Sequence, residues 1–166
     1  TGNWILDLLD IYDPDVIRFY LTTILPESSD SEFREEELVR TNNEILIATW
    51  GNLANRVFAM IHQNFLGKLP ASENPSVESL SLLAEVDAAF KEIGEAYETC
   101  EFRTALRACM RIAQSANRYL DTRAPWKAIK ENNTHAAETL NTAIQAISGI
   151  AKLLHPILPF STKELY

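Results

Sequence analysis

Between Leu38 and Phe65, apolar residues return at intervals of three and four: Leu46, Trp50, Leu53, Val57, then Met60 or Ile61. This spacing puts them on one stripe of an α-helix and predicts a single long helix over 38–65. Earlier, Asp13-Pro14 supplies an N-cap carboxylate and a proline at the first helical position, where its missing N–H costs nothing. A helix is therefore expected from Pro14 to about Leu25, stopped by Pro26. Ser29-Asp30-Ser31 reads as the cap of the next element, with Glu32, Glu35, Glu36 and Glu37 complementing the positive end of a helix. Gly67, Pro70 and residues 71–76 form a polar loop. Two further helices are expected over about Val77–Tyr97 and Phe102–Thr122. Pro125 opens a short helical turn. Asn132-Asn133-Thr134 caps a helix ending at His155-Pro156, and Pro159 with a Ser161 cap starts a last fragment. The pattern predicts an all-α fold, a bundle of five or six helices.

Composition sharpens this picture. The 166 residues are 46% hydrophobic and 23% charged, with only five glycines. That is enough apolar material for one domain or one lobe of a larger protein, and too little glycine for a sandwich or barrel. The net charge of -8 repels nucleic acid and acidic membranes overall, so a nucleic-acid site has to be built locally from a few placed residues. Cys100 and Cys109 lie nine residues apart in one helical pattern, about 900° around the axis and hence on opposite faces. They are expected neither to pair nor to share a metal. The three histidines show no ligand spacing. There is no 18-residue apolar run and no signal peptide. A reducing, cytoplasmic setting without a metal or a membrane is expected. The chain starts at Thr1 without a methionine and stops at Tyr166 in what reads as the start of a helix, so a piece of a longer protein is expected.

Two stretches carry candidate chemistry. In GNLANR (Gly51–Arg56) a helix sets Asn52 and Arg56 four apart, within about 40° of one another on one flank of the core stripe. Asn55 points outward. An amide and a planar guanidinium fork together suit the edges of bases; a structural asparagine beside a solvated arginine is the commoner origin of such a pair. In NRYLDTRAPW (Asn117–Trp126) a helix ends at Ala124 and a tryptophan follows a rigid proline. A ring held this way can stack on a base, or it can plug the core, the commoner fate of tryptophan. Arg118, Arg123 and Lys127 nearby favour a phosphate-bearing ligand. The carboxylates Asp7, Asp10, Asp13, Asp15 and Glu35–Glu37 have no histidine or nucleophile at useful spacing, and capping and solvation account for them. No catalytic constellation is present.

Taken in order, these stretches resemble one family. Gly2-Asn3 followed by DPDVIRFYLTTILPESSDSEF (Asp13–Phe33) is similar to the segment after the KMSKS loop of class I aminoacyl-tRNA synthetases, in its methionyl-type form. GNLANR resembles that branch's anticodon-reading helix, NRYLDTRAPW its second anticodon-facing segment, and HPILPF (His155–Phe160) its C-terminal bundle helix. The resemblance covers essentially the whole chain. It implies residues 1–37 as a linker carrying the first helix and 38–166 as an anticodon-binding bundle. The KMSKS lysines would lie just before Thr1, and the ATP-using catalytic domain, with its HIGH motif, further upstream. This piece alone would hold no cofactor and catalyse nothing; its partners would be the anticodon loop of methionine tRNA and the catalytic domain of the same polypeptide. Asn52, Arg56 and Trp126 match the family's anticodon-contacting positions. Trp126 would offer its ring to the first base of the CAU anticodon, and Asn52 and Arg56 would hydrogen-bond base edges or the loop backbone. Asn117 and Arg123 are expected neighbours on geometry. The isoleucyl, valyl, leucyl and cysteinyl enzymes carry related bundles, and Pro125-Trp126 together with GNLANR separates the methionyl reading from them. A helical protein-interaction module would instead bury Trp126 and send Asn52 and Arg56 into different environments.

Overall fold

The computed structural model describes residues 5–27, 30–71, 74–131 and 133–165. In chain order the helices are α1 (Ile5–Leu9), α2 (Pro14–Thr23), α3 (Glu35–Thr41), a π-helical segment (Asn42–Gly51), α4 (Asn52–Phe65), α5 (Val77–Glu98), α6 (Phe102–Arg123), α7 (Pro125–Glu131), α8 (Asn133–Leu154) and α9 (Pro159–Lys163). Among the described residues there is no strand, and the fold is the all-α bundle the periodicity predicts.

The long 38–65 rod is continuous but not uniformly wound. Its buried positions run Leu38, Thr41, Leu46, Trp50, Leu53, Ala54, Val57 and Ile61. One step in that series, from Thr41 to Leu46, is five residues, which an α-helix cannot keep on one stripe. The i→i+5 bonds of a π-helix can, and the Asn52 N–H still reaches back to the Ile47 carbonyl. Ile45 and Ile47 are left exposed as a result.

The main core lies between this rod and α5, α6 and α8, around Ile93, Ile112, Leu120, Leu140, Ile147 and Leu154. Helices α5 and α8 approach closely where α8 carries Gly149: a Cβ there would lie 2.5 Å from Val86 Cγ1. A second, small cluster joins Leu8, Ile17, Tyr20 and Leu38. It ties α1 and α2 to α3.

A polar clasp then fastens α2 to the far end of the chain. Arg18 donates from Nε to the Ile157 carbonyl at 2.8 Å and from Nη2 to the Pro156 carbonyl at 2.7 Å, just beyond the C-terminal end of α8. The buried Asp15 carboxylate accepts from the Ser161 N–H at 2.7 Å and its hydroxyl at 2.6 Å. A carboxylate in the first turn of α2, facing the first turn of α9, complements the positive ends of both helices.

Three local expectations are corrected. Helix α3 begins at Glu35 after Arg34, which makes no side-chain cap, so the cap at Ser29-Asp30-Ser31 falls too early; Ser29 itself lies outside the described residues, as do Gly2, Asn3 and Asn132. Ser161 sits inside α9, bonding Asp15 across the chain and leaving Leu158 at the cap position. Cys100 is not in the α6 helix. It occupies the turn before it with a left-handed φ of 59° and is exposed, while Cys109 is buried. Burial pushes the Cys109 thiol up to about 12, so it behaves as an inert core residue.

Candidate functional site

Helix α6 stops because Ala124 turns left-handed, with φ 42° and ψ 57°, and its N–H closes on the Leu120 carbonyl at 2.8 Å. An L-residue there costs about 1–2 kcal/mol and is a place glycine usually takes. Pro125 follows at the start of α7, and the Lys127 N–H bonds the Ala124 carbonyl at 2.9 Å. Trp126 is thereby fixed in the first turn of α7, beside a proline that cannot relax. It is not a core plug: 38% of its surface is exposed.

The ring has a specific neighbour. Arg56 Cζ lies 5.2 Å from the centroid of the Trp126 ring, and its Nη2 donates to Asp121 Oδ1 at 2.8 Å. At partly exposed positions a cation–π contact is worth about 0.5–1 kcal/mol and an ion pair about 0–1 kcal/mol. Such contacts orient the guanidinium more than they stabilise the fold. Most of its five donors remain without an acceptor among the described residues. Asn52 sits one turn earlier on α4, about 6 Å along the axis on the same flank, and is exposed. The structure thus brings Arg56 directly to Trp126 and leaves Asn52 open on the same face.

Asn117 and Arg123 are already engaged. Asn117 Nδ2 donates to the Thr49 carbonyl at 2.9 Å and to the Ala113 carbonyl at 3.1 Å; it pins the end of the π-helical segment to α6. The Arg123 side chain is only 14% exposed and points inward. It donates from Nη2 to Glu138 at 2.6 Å and to His135 Nδ1 at 2.9 Å. Glu138 also accepts from the Ser76 N–H and the Ser79 hydroxyl, both at 2.7 Å. This network locks the α6–α7 corner to the starts of α5 and α8, and so holds Trp126 from behind.

Asp121 is the participant that the sequence reading missed. Its position four residues after Asn117, on the face that carries Arg118, is the signal that could have found it. Chemically, the corner offers one partly exposed aromatic ring, one oriented guanidinium and one free amide, a set suited to flat, hydrogen-bonding ligands. Among the described residues no group of three His, Cys, Asp or Glu side chains is placed to hold a metal ion. None of their helices is long and apolar enough to cross a membrane.

Residues 80–166 match the model of the anticodon-binding domain of tRNA ligases, and residues 1–58 match that of class I tRNA synthetases of the (M) type. The chain belongs to the anticodon-binding domain family of tRNA ligases. Its similarity to methionine–tRNA ligases runs over the whole length: it is 42% identical to that of Thermomicrobium roseum over 163 residues and 42% identical to that of Bifidobacterium adolescentis over 165 residues. Each alignment covers 98% of this chain but only 28% and 26% of the relative. The fold is also that of the Mycobacterium tuberculosis methionyl-tRNA synthetase bound by methionyl-adenylate, with a TM-score of 0.92 at 24% identity over 96% of this chain and 32% of that one.

Proposed function

We propose that this chain reads the CAU anticodon of methionine tRNA as the C-terminal part of a methionine–tRNA ligase, whose catalytic domain joins methionine to the tRNA with ATP. The observation that carries the reading is the Arg56 guanidinium held over the Trp126 ring at 5.2 Å, in a corner that stays partly exposed. Anticodon bases leave their stack when an RNA loop is read. The first base stacks on Trp126, worth about 1–3 kcal/mol. The free donors of Arg56 and the amide of Asn52 reach its neighbours' edges or the loop backbone. A wrong base leaves those groups unpaired, which is the source of rejection. Asn117 and Arg123 act behind this surface, one fixing the helix that carries Asn52 and the other fixing the corner that carries Trp126.

In this reading residues 1–37 are the linker with the first helix and 38–166 the anticodon-binding bundle. The small cluster of Leu8, Ile17, Tyr20 and Leu38 packs the linker helices onto the start of the bundle, and Phe19 of α2 reaches the main core. The catalytic domain of the same polypeptide precedes it; the exposed Ile5, Leu6, Leu9 and Ile11 support a covering neighbour at that end. The whole enzyme works in the cytoplasm, where its tRNA is.

The test is binding of a CAU anticodon stem-loop, and of one with its first base changed, to the wild-type chain and to Trp126→Ala. The expected preference for CAU is at least about 1 kcal/mol, abolished by the substitution. Equal binding of both loops, unaltered by Trp126→Ala, would falsify the assignment.

A further inference from the structure

The corner is one end of a longer seam. The Thr49 carbonyl meets Asn117 and Arg56 meets Asp121, so the rod and α6 lie side by side, their numbering rising in the same direction. Farther back along that seam Ile45 faces a cavity of about 350 Å³ between α2, the π-helical segment and α6. Phe19, Leu106 and Met110 line it with apolar surface, and Arg103, Arg107 and Arg111 line it with charge. The three arginines follow one another at four-residue steps, about 6 Å apart along α6 on a single face.

Their guanidinium groups are lightly used. Arg103 Nε is shut off from water with no acceptor among the described residues, and its Nη1 makes a 3.4 Å contact to the Leu25 carbonyl. Arg107 is exposed and makes no hydrogen bond or ion pair among the described residues. Arg111 shares its charge with Glu92 at 2.6 Å. In a chain of net charge -8, three arginines round one cavity outnumber the two carboxylates beside them, Glu92 on Arg111 and Glu27 on the Arg103 N–H, and leave a local excess of positive charge. Guanidinium forks match phosphate oxygens in pairs.

We propose that this arginine-rimmed cavity binds a backbone phosphate of the RNA strand flanking the anticodon, an inference that rests on the anticodon reading above. Arg107 lies fourteen residues before Asp121 on α6, about 21 Å along the seam, a distance that the strand flanking an anticodon seated on Trp126 can span. The phosphate contact sets register and adds affinity without reading sequence.

Binding of CAU and altered-loop stem-loops is measured over a series of KCl concentrations with the wild-type chain, Arg107→Ala, Arg107→Glu and Trp126→Ala. Arg107→Ala is expected to weaken both loops alike, several-fold, and to lower the steepness of log K against log salt by about one; Arg107→Glu goes further in the same direction. Trp126→Ala removes the preference and keeps the slope. Because Arg107 has no partner to lose among the described residues, the variants should melt with wild type. Unchanged affinity and slope in both Arg107 variants, with Trp126→Ala behaving as expected, overturns the phosphate site and leaves the anticodon reading intact. Loss of the CAU preference alone in Arg107→Ala overturns it too, because that marks a base contact. If the wild type binds neither loop, both readings fall together.

Discussion

Glu138 shows how a single side chain holds the corner in place. Burial pushes its carboxyl up, but hydrogen bonds from Ser76 and Ser79 and the Arg123 charge outweigh burial and hold it at about 2. A carboxylate depressed on folding adds stability above its unfolded pKa of about 4.3, and that stability drains away as pH falls toward the folded value. Glu138→Gln should therefore unfold more easily at pH 7, by roughly 3 kcal/mol. The gap to wild type should close between about pH 4.5 and pH 2 in urea melts taken across that range; a gap independent of pH would mean that the carboxylate's charge is not what matters. Residues like this were the least legible in the sequence. That Asn52 and Arg56 share one helix face and that Trp126 sits on a fixed corner is legible from helical spacing and a proline, which are local. Arg123 reads as a ligand-facing neighbour of Trp126 because its partners Glu138 and Glu78 lie in other helices, and only packing brings them together.

At the scale of helices, two contacts decide where the functional face points. The first is Gly149, where α8 meets α5 without room for a methyl group. Gly149→Ala should cost about 1–3 kcal/mol by overpacking. With Val86→Ala in the same chain the loss should be smaller than the two single losses added, since each relieves the other; strict additivity in denaturant melts would show that the clash is absorbed elsewhere. The second is the Asn117 amide on the Thr49 carbonyl. Asn117→Ala should lower stability by about 1 kcal/mol and also blunt discrimination between CAU and altered loops, because the turn that carries Asn52 is no longer pinned. Lost stability with full discrimination would confine Asn117 to packing. The helices themselves were readable from the 3.6-residue pattern, and α5 and α6 end within one residue of their expected limits. The π-helical winding was not: its sign is the five-residue step between Thr41 and Leu46, and a threonine does not announce itself as a core position.

For the molecule as a whole, charge and connectivity pull apart. The acidic average predicts a poor partner for RNA, whereas the seam from Arg103 to Trp126 concentrates cations along one edge; the mean hides the face. The clasp made by Asp15 and Arg18 has a different reach. It joins residues 138 to 146 positions apart, so it closes a loop containing most of the chain, whereas α5, α6 and α8 can collapse on one another across short turns. Long loops are slow to close. Assembly would then begin with the bundle and finish at the clasp, and the first part to come loose would be the last to arrive. The clasp is thus the closing tie between α2 and the segment after α8, added to a bundle that short-range packing has already formed.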